Sequence, residues 1–294
     1  MTKPTARLRA LLNAGRTVWA AGAYDALSAR MIADAGFDAV MTSGFGVSAS
    51  HLGLPDAELY TMTENLAVVR HACSVSAAPV IADCDTGYGN AVNVLRTVRE
   101  FEQAGVAGLI LEDQASPKRC PACTDQTEIL PIEEAVAKIR AAVAARRDPD
   151  LVIIARTDSR DEADAIRRAR AYAEAGADLV QPISRGFRSF DALERLRAGA
   201  GRRLSLQILG WLEKDLSRAQ IESVAGLAVF PLTPLMSAAA ALRANLAALL
   251  AAKSTQALPR EVMAHDDFMH LIGFEEVERQ QLAFLQAPPA RAAE

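Results

Sequence analysis

The chain is short of basic charge, of cysteine and of long apolar runs. Its 32 lysines and arginines are outnumbered by 36 aspartates and glutamates, for a formal charge of −4. A protein that coats phosphates is normally basic, so nucleic acid is excluded as the main partner. Arginine outnumbers lysine 27 to 5, which reads as nucleotide bias. Four cysteines in 294 residues are too few for a disulfide scaffold. That scarcity points to a reducing cytoplasm. No uninterrupted apolar run approaches the ~20 residues of a membrane helix. The nearest, Ser237 to Ala252, is broken by Arg243 and Asn245, so no membrane partner is expected. Met1 to Arg16 lacks the apolar block of a signal peptide. No Gly-x-Gly-x-x-Gly follows the first apolar run, which argues against a dinucleotide fold.

What is present is a large apolar fraction, 51%, with 59 alanines. That is enough core for one large domain or two modest ones, and it excludes bulk disorder. One grammar recurs: a helical pattern ends in Ala-Gly and an apolar strand follows. It appears at Ala35-Gly36, Ala104-Gly105, Ala175-Gly176 and Ala225-Gly226. Glycine suits the left-handed residue that closes a helix, and the apolar run enters a sheet buried on both faces.

Eight strands are predicted: Thr17–Ala21, Ala39–Thr42, Val80–Asp83, Gly108–Glu112, Leu151–Arg156, Asp178–Gln181, Leu204–Ile208 and Leu227–Phe230. Amphipathic patterns at Val92–Ala104, Ile132–Ala145 and Glu162–Ala175 lie between them. Strict alternation of this kind predicts an α/β (β/α)8 barrel over residues 1–252; the alternative is an open doubly wound sheet. Leu235–Ala252 reads as a long alanine-rich helix. Residues 253–294 form a C-terminal arm, whose apolar segment Val262–Leu285 either docks on a neighbouring subunit or folds back.

In a barrel the chemistry sits at the carboxyl ends of the strands. Asp83 and Asp85 follow strand three, Glu112 ends strand four, and Arg156 ends strand five. Three acids with few cations suit a hard divalent ion, Mg²⁺ or Mn²⁺; the alternative is a salt-bridge cluster with Arg156. Ser43-Gly44-Phe45 offers backbone N–H groups as a carboxylate seat, or is an ordinary tight turn. Gln114 to Pro131 is long enough to be a lid, and carries Lys118, Arg119, Cys120 and Cys123. The cations would lower the Cys120 thiol pKa. Cys120-Pro121-Ala122-Cys123 also fits a zinc half-site or a redox pair.

Several runs together resemble the isocitrate lyase / phosphoenolpyruvate mutase superfamily. They are Gly22-Ala23-Tyr24-Asp25, Ser43-Gly44, Leu54-Pro55-Asp56, Asp83-x-Asp85-Thr86-Gly87-Tyr88-Gly89-Asn90, Leu111-Glu112-Asp113-Gln114, Pro117-Lys118-Arg119-Cys120 and Ile154-Ala155-Arg156-Thr157-Asp158. The resemblance implies a (β/α)8 barrel, Mg²⁺, an enolate intermediate and a homotetramer or dimer of dimers. It implies metal acids at Asp83, Asp85 and Glu112, with Asp56 acting through water. It implies that the substrate carboxylate sits on Ser43, Gly44, Phe45 and Arg156. Lid residues Lys118 and Cys120 match the lyase branch, where the cysteine protonates the departing enediolate; Tyr24 is the candidate base. The family's lid Gly-His is here Pro121-Ala122. On strand six Ile183 replaces a polar residue, and Ser184-Arg185 looks more like the phosphonate branch. Gln207 and Trp211 blur the strand-seven pattern. The resemblance thus implies a carbon–carbon lyase acting on a 2-hydroxy or 2-keto di- or tricarboxylic acid other than isocitrate or 2-methylisocitrate. The alternatives are a phosphorus–carbon mutase or hydrolase, an oxaloacetate decarboxylase or hydrolase, and a thiol switch.

Overall fold

The structure is a computed structural model, and it describes residues 2–119 and 128–285. Eight strands run β1 (Val18–Ala23), β2 (Ala39–Thr42), β3 (Val80–Asp83), β4 (Gly108–Glu112), β5 (Val152–Thr157), β6 (Leu179–Pro182), β7 (Leu204–Gln207) and β8 (Ala225–Phe230). Each is parallel to the next, and β8 pairs back onto β1 to close the barrel. Three strands match the predicted bounds and five differ by one or two residues at one or both ends.

The helices run in chain order α1 (Pro4–Asn13), α2 (Ala26–Asp34), α3 (Gly44–Val47), α4 (Met62–Val75), α5 (Ala91–Ala104), α6 (Ile132–Ala145), α7 (Glu162–Glu174), α8 (Phe190–Ala200), α9 (Trp211–Lys214), α10 (Arg218–Val224), α11 (Thr233–Ala252), α12 (His265–Ile272) and α13 (Phe274–Phe284). Side-chain caps fix several starts. Thr61 with Glu64, and Asn90 with Asn93, form reciprocal capping boxes before α4 and α5. Each satisfies amides that an uncapped helix start leaves unbonded.

Strand alternation decides what faces the site. On β5, Ile153 and Ala155 pack outward against helices, whereas Val152 and Ile154 fill the barrel interior. With a period of two, Arg156 must then point inward at the open end. The same count puts Asp83 beyond Ile81, Glu112 beyond Ile110, and Gln181 beyond Leu179 on the inner face. Leu8 of α1 joins the interior cluster and is fully buried. Truncating it to alanine would cost about 3 kcal/mol. Gly22 on β1 is required: a Cβ there would meet the Pro231 carbonyl oxygen at 1.9 Å.

Two units emerge, Met1–Ser237 and Ala238–Glu294, with the boundary inside α11. The sequence places it after residue 252, at the end of that helix. No residue of α11 is buried. By length and composition alone α11 is long and apolar enough to cross a bilayer, which corrects the reading that no segment qualifies. Arg243 and Asn245 interrupt the run, but one charge over this length leaves the mean hydropathy high. The Asn245 side chain bonds the Arg260 backbone at 3.0 and 3.1 Å. The single helical segment read at Val262–Leu285 is two helices. Gly273, at φ +86°, ends α12 in the left-handed conformation before α13 begins.

Candidate active site

The carboxyl ends of β2 to β8 surround a cavity of about 380 Å³. Ser43, Phe45, Asp56, Asp83 and Arg156 line it, as do Gln181, Ile183, Ser184, Arg185, Gln207 and Trp211. Tyr24 is not among the lining residues. It lies half-buried at the start of α2, where burial and the Asp25 charge raise its pKa. The structure therefore brings the acids and Arg156 together and leaves Tyr24 off the cavity wall.

Ser43 is the N-cap of α3 rather than part of a tight turn. Its own N–H is spent on the Ala23 carbonyl, and the Gly44 N–H donates to Asp83 Oδ2 at 3.2 Å. A side chain at Gly44 would collide with the Tyr60 hydroxyl at 2.6 Å. Glycine is required there by close approach.

The acids converge on Lys118. Its ammonium, buried, pairs with Asp85, with Asp56 at 2.9 Å and with Glu112 at 3.9 Å. Burial would lower the Lys118 pKa, but the Asp85, Glu112 and Asp56 charges outweigh it and hold the amine protonated. Burial, then the Asp85 charge, pushes the Asp83 carboxyl up to about 6. Burial likewise raises Glu112, against the pull of Arg156 and Lys118. Asp85 adopts φ +48°. A non-glycine residue persists in that left-handed region only where its surroundings hold it. Here Tyr60 and Lys118 donate to its carboxylate, and Tyr88 approaches it at 3.4 Å. The buried amine of Lys138 donates to the next carbonyl, Thr86, at 2.9 Å.

Arg156 is held as firmly. Its Nε and Nη2 bond Asp158 at 2.6 and 2.9 Å, and its Nη1 lies 2.9 Å from Glu112 Oε2. Gln114 Nε2 bridges Glu112 and Asp158, at 3.0 and 2.6 Å. Behind them Asp113 accepts the Asp158 N–H at 2.8 Å and the Tyr172 hydroxyl at 2.7 Å. The far side of the cavity is a short polar chain amid apolar walls. Ser205 Oγ and Gln207 Nε2 both donate to Gln181 Oε1, at 2.7 and 3.1 Å. Trp211 Nε1 donates to the Ser184 carbonyl at 2.8 Å.

Among the described residues no group of three or more His, Cys, Asp or Glu side chains stands in a ready metal-holding arrangement. Lys118 occupies the middle of the acids. Asp56 Oδ1 and Glu112 Oε2 are nevertheless buried and accept no well-directed hydrogen bond. Such carboxylate oxygens suit a hard oxygen-seeking cation, so the donor set fits Mg²⁺. Cys120 and Cys123, with the rest of the segment 120–127, lie outside the described residues. The other two thiols are free: Cys84 is buried, and burial pushes Cys73 up to about 12. Neither touches the acids' cluster as a ligand.

Sequence reasoning missed Glu58, Tyr60 and Lys138. The first two stand just past the Leu54-Pro55-Asp56 run, on a loop with no periodicity to mark them. Asp158 and Gln114 lay inside quoted motifs without a role.

Comparison with known proteins agrees with the fold. A family model described as phosphoenolpyruvate phosphomutase matches residues 8–252. The 2,3-dimethylmalate lyase of Eubacterium barkeri is 39% identical over 277 residues, 92% of this chain and 95% of that protein. A phosphoenolpyruvate phosphomutase structure from Streptomyces platensis subsp. rosaceus superposes with TM-score 0.89 at 34% identity, covering 96% of this chain and 99% of that one. A phosphonopyruvate hydrolase complexed with oxalate and Mg²⁺ gives 0.87 at 31%, covering 97% and 100%.

Proposed function

From the premise that the chain belongs to the phosphoenolpyruvate mutase / isocitrate lyase family, and is an enzyme of it, we propose an Mg²⁺-dependent carbon–carbon lyase. Its substrate is a 2-hydroxy or 2-keto carboxylic acid. The observation that carries this reading is the meeting of a clamped cation, Arg156, with four carboxylates and Lys118 at one end of the barrel. Asp56, Asp83, Asp85 and Glu112 would hold the ion. When bound, Mg²⁺ would supply a Lewis acid that stabilises the negative charge growing on the substrate.

The chain's own residues do the rest. Arg156, fixed in plane by Asp158, lines the cavity, and a substrate carboxylate can replace part of the contact of its Nη1 with Glu112. Lys118 places a positive charge where negative charge grows as the bond breaks. A base takes the 2-hydroxyl proton, the C2–C3 bond breaks to leave a keto acid, and Cys120 gives its proton to the departing carbanion, in keeping with its place in the Lys-Arg-Cys run. Tyr24 would serve as base only if its ring swings to the cavity. The far wall, with Ile183, Leu209 and Trp211 beside Gln181 and Gln207, suits a substrate end with alkyl substituents and little charge. The named activity of the dimethylmalate lyase relative supports such an end.

A second reading rests on Ser184-Arg185, which line the cavity and resemble the phosphonate branch. It is phosphonopyruvate or oxaloacetate cleavage. A panel of alkylated malates, oxaloacetate and phosphonopyruvate with Mg²⁺ separates the readings, assayed for released keto acid and for phosphate. Keto acid from an alkylated malate, lost in Cys120→Ser while Mg²⁺ binding persists, supports the lyase. Phosphate release that survives Cys120→Ser selects the second.

The assembly belongs to the same proposal. A groove of about 460 Å³ on the outside of the barrel is walled mainly by apolar residues, Trp19, Leu212, Ile221 and Phe230 among them, with Glu213 and Arg218. Trp19 and Phe230 stack at 5.6 Å. Leu242, Leu246 and Leu250 stand four residues apart on α11 and are 61, 54 and 71% exposed. An apolar stripe of this kind is normally covered by a partner, so we assign it to a second copy in a homo-oligomer. The free thiols accord with a cytoplasmic enzyme.

A further inference from the structure

Lys118 is gripped at both ends. Its ammonium lies among Asp56, Asp85 and Glu112, and its backbone N–H donates to Glu58 Oε2 at 2.9 Å. The same Glu58 oxygen accepts from Ser116 Oγ at 2.8 Å, and the other accepts from Thr86 Oγ1. One carboxylate thus ties the loop after β3 to the segment after β4. Glu58 itself adopts φ +55°, a conformation that a side chain other than glycine keeps only when its contacts hold it. The strain is local to the loop that also supplies Asp56 and Tyr60.

We propose that Glu58 is the positioning residue for Lys118. A lysine head swings on four rotatable bonds, so its reach is set by where its Cα is fixed. Other contacts of the β4 segment do not fix it. Ala115 N–H to Glu128 O at 2.8 Å and Leu130 N–H to Asp113 O at 2.8 Å join the two ends of the loop to each other. Among the described residues Glu58 alone bonds the Ser116–Lys118 backbone and hydroxyl to the opposite wall. Removing its carboxylate frees the lysine root, and the ammonium then leaves the acids. The inference rests on the reading that Lys118 serves the chemistry, but its test does not.

The test is acetylation of the intact protein with an amine-reactive ester, read residue by residue by mass spectrometry. Lys3, whose side chain is 76% exposed, calibrates the reagent. In Glu58→Ala, Lys118 should acetylate about tenfold faster than in wild type, because a local opening replaces burial. Glu58→Leu keeps the volume without the acceptors and should do the same; Glu58→Gln, with one acceptor oxygen left, should fall between. Amide exchange in β5 should match wild type in all three. Continued protection of Lys118 in the alanine and leucine variants overturns the proposal. So does a rise in Lys118 labelling matched by faster exchange in β5, which marks general loosening. Where the substrate panel yields turnover, kcat should fall with KM nearly constant. A silent panel rejects the lyase reading and leaves the labelling result to stand by itself.

Discussion

Arg156 and Asp158 stand two residues apart at the end of β5 and face each other through two hydrogen bonds, at 2.6 and 2.9 Å. A planar guanidinium bonded along one edge can rotate little, so its remaining N–H groups keep a fixed aim. Asp158 is itself fixed by Asp113 and Gln114. Replacing Asp158 with asparagine keeps the shape and removes half the clamp. The expected outcome is a rise in KM and a fall in kcat/KM of roughly 10- to 100-fold, since the carboxylate end of the substrate loses an oriented partner. Steady-state kinetics on whichever acid the panel identifies would check it. A change in kcat alone, with KM untouched, would contradict a binding role for Arg156.

Asp85 carries the second prediction. It is fully buried, left-handed at φ +48°, and shared by Tyr60 and Lys118. Chelation of Mg²⁺ should abolish turnover, and added Mg²⁺ should restore it. Asp85→Asn should weaken Mg²⁺ binding by more than roughly tenfold, measured by titration calorimetry without substrate. Unaltered affinity would remove Asp85 from the ion's surroundings.

Much of this architecture was legible because barrels write a strong signal. Apolar runs closed by Ala-Gly give the strands, and alternation within Ile153, Ile154 and Ala155 tells which neighbour points inward. Arg156, Asp83 and Glu112 follow from that count. Strand ends were misjudged where polar residues continue the pairing, as at Thr157, or where apolar ones stop short of it, as at Ile208. Glu58 and Tyr60 were not legible, because their roles depend on a loop crossing to β3 and β4 from far away in sequence. Gly44 looked like an N–H donor for substrate; only the fold shows that Asp83 takes that N–H. The break at Gly273 was hidden inside a continuous apolar pattern.

The exposed stripe on α11 gives a third prediction. Leu246→Glu places a charge in the middle of Leu242, Leu246 and Leu250, where burial in an interface would cost several kcal/mol. Light scattering on wild type should report a multiple of the 31.4 kDa chain mass, and the variant should report a smaller species. A wild type that stays at the single-chain mass at micromolar concentration would reject the assembly.

Asp164 near the start of α7 links pH to the scaffold behind the site. It accepts hydrogen bonds from Arg167 and, at 2.7 Å, from Arg168 Nε. Arg168 in turn reaches Asp113 at 3.3 Å and the Leu130 carbonyl at 3.0 Å. Partial burial tends to raise the Asp164 carboxyl, but its bonds to Arg167 and Arg168 win and bring it down to about 2, from 3.8. A carboxyl depressed on folding favours the folded state above its unfolded pKa. That contribution is lost as the pH falls from about 4 toward about 2, because the folded state must then take up the proton too. Water screens the helix surface, so the contribution is about 1 kcal/mol at pH 7. Asp164→Asn should therefore lower the urea midpoint at pH 7, and the gap from wild type should narrow across that acid window. A gap as wide at pH 2.5 as at pH 7 would show that the charge on Asp164 is not what Arg168 recognises.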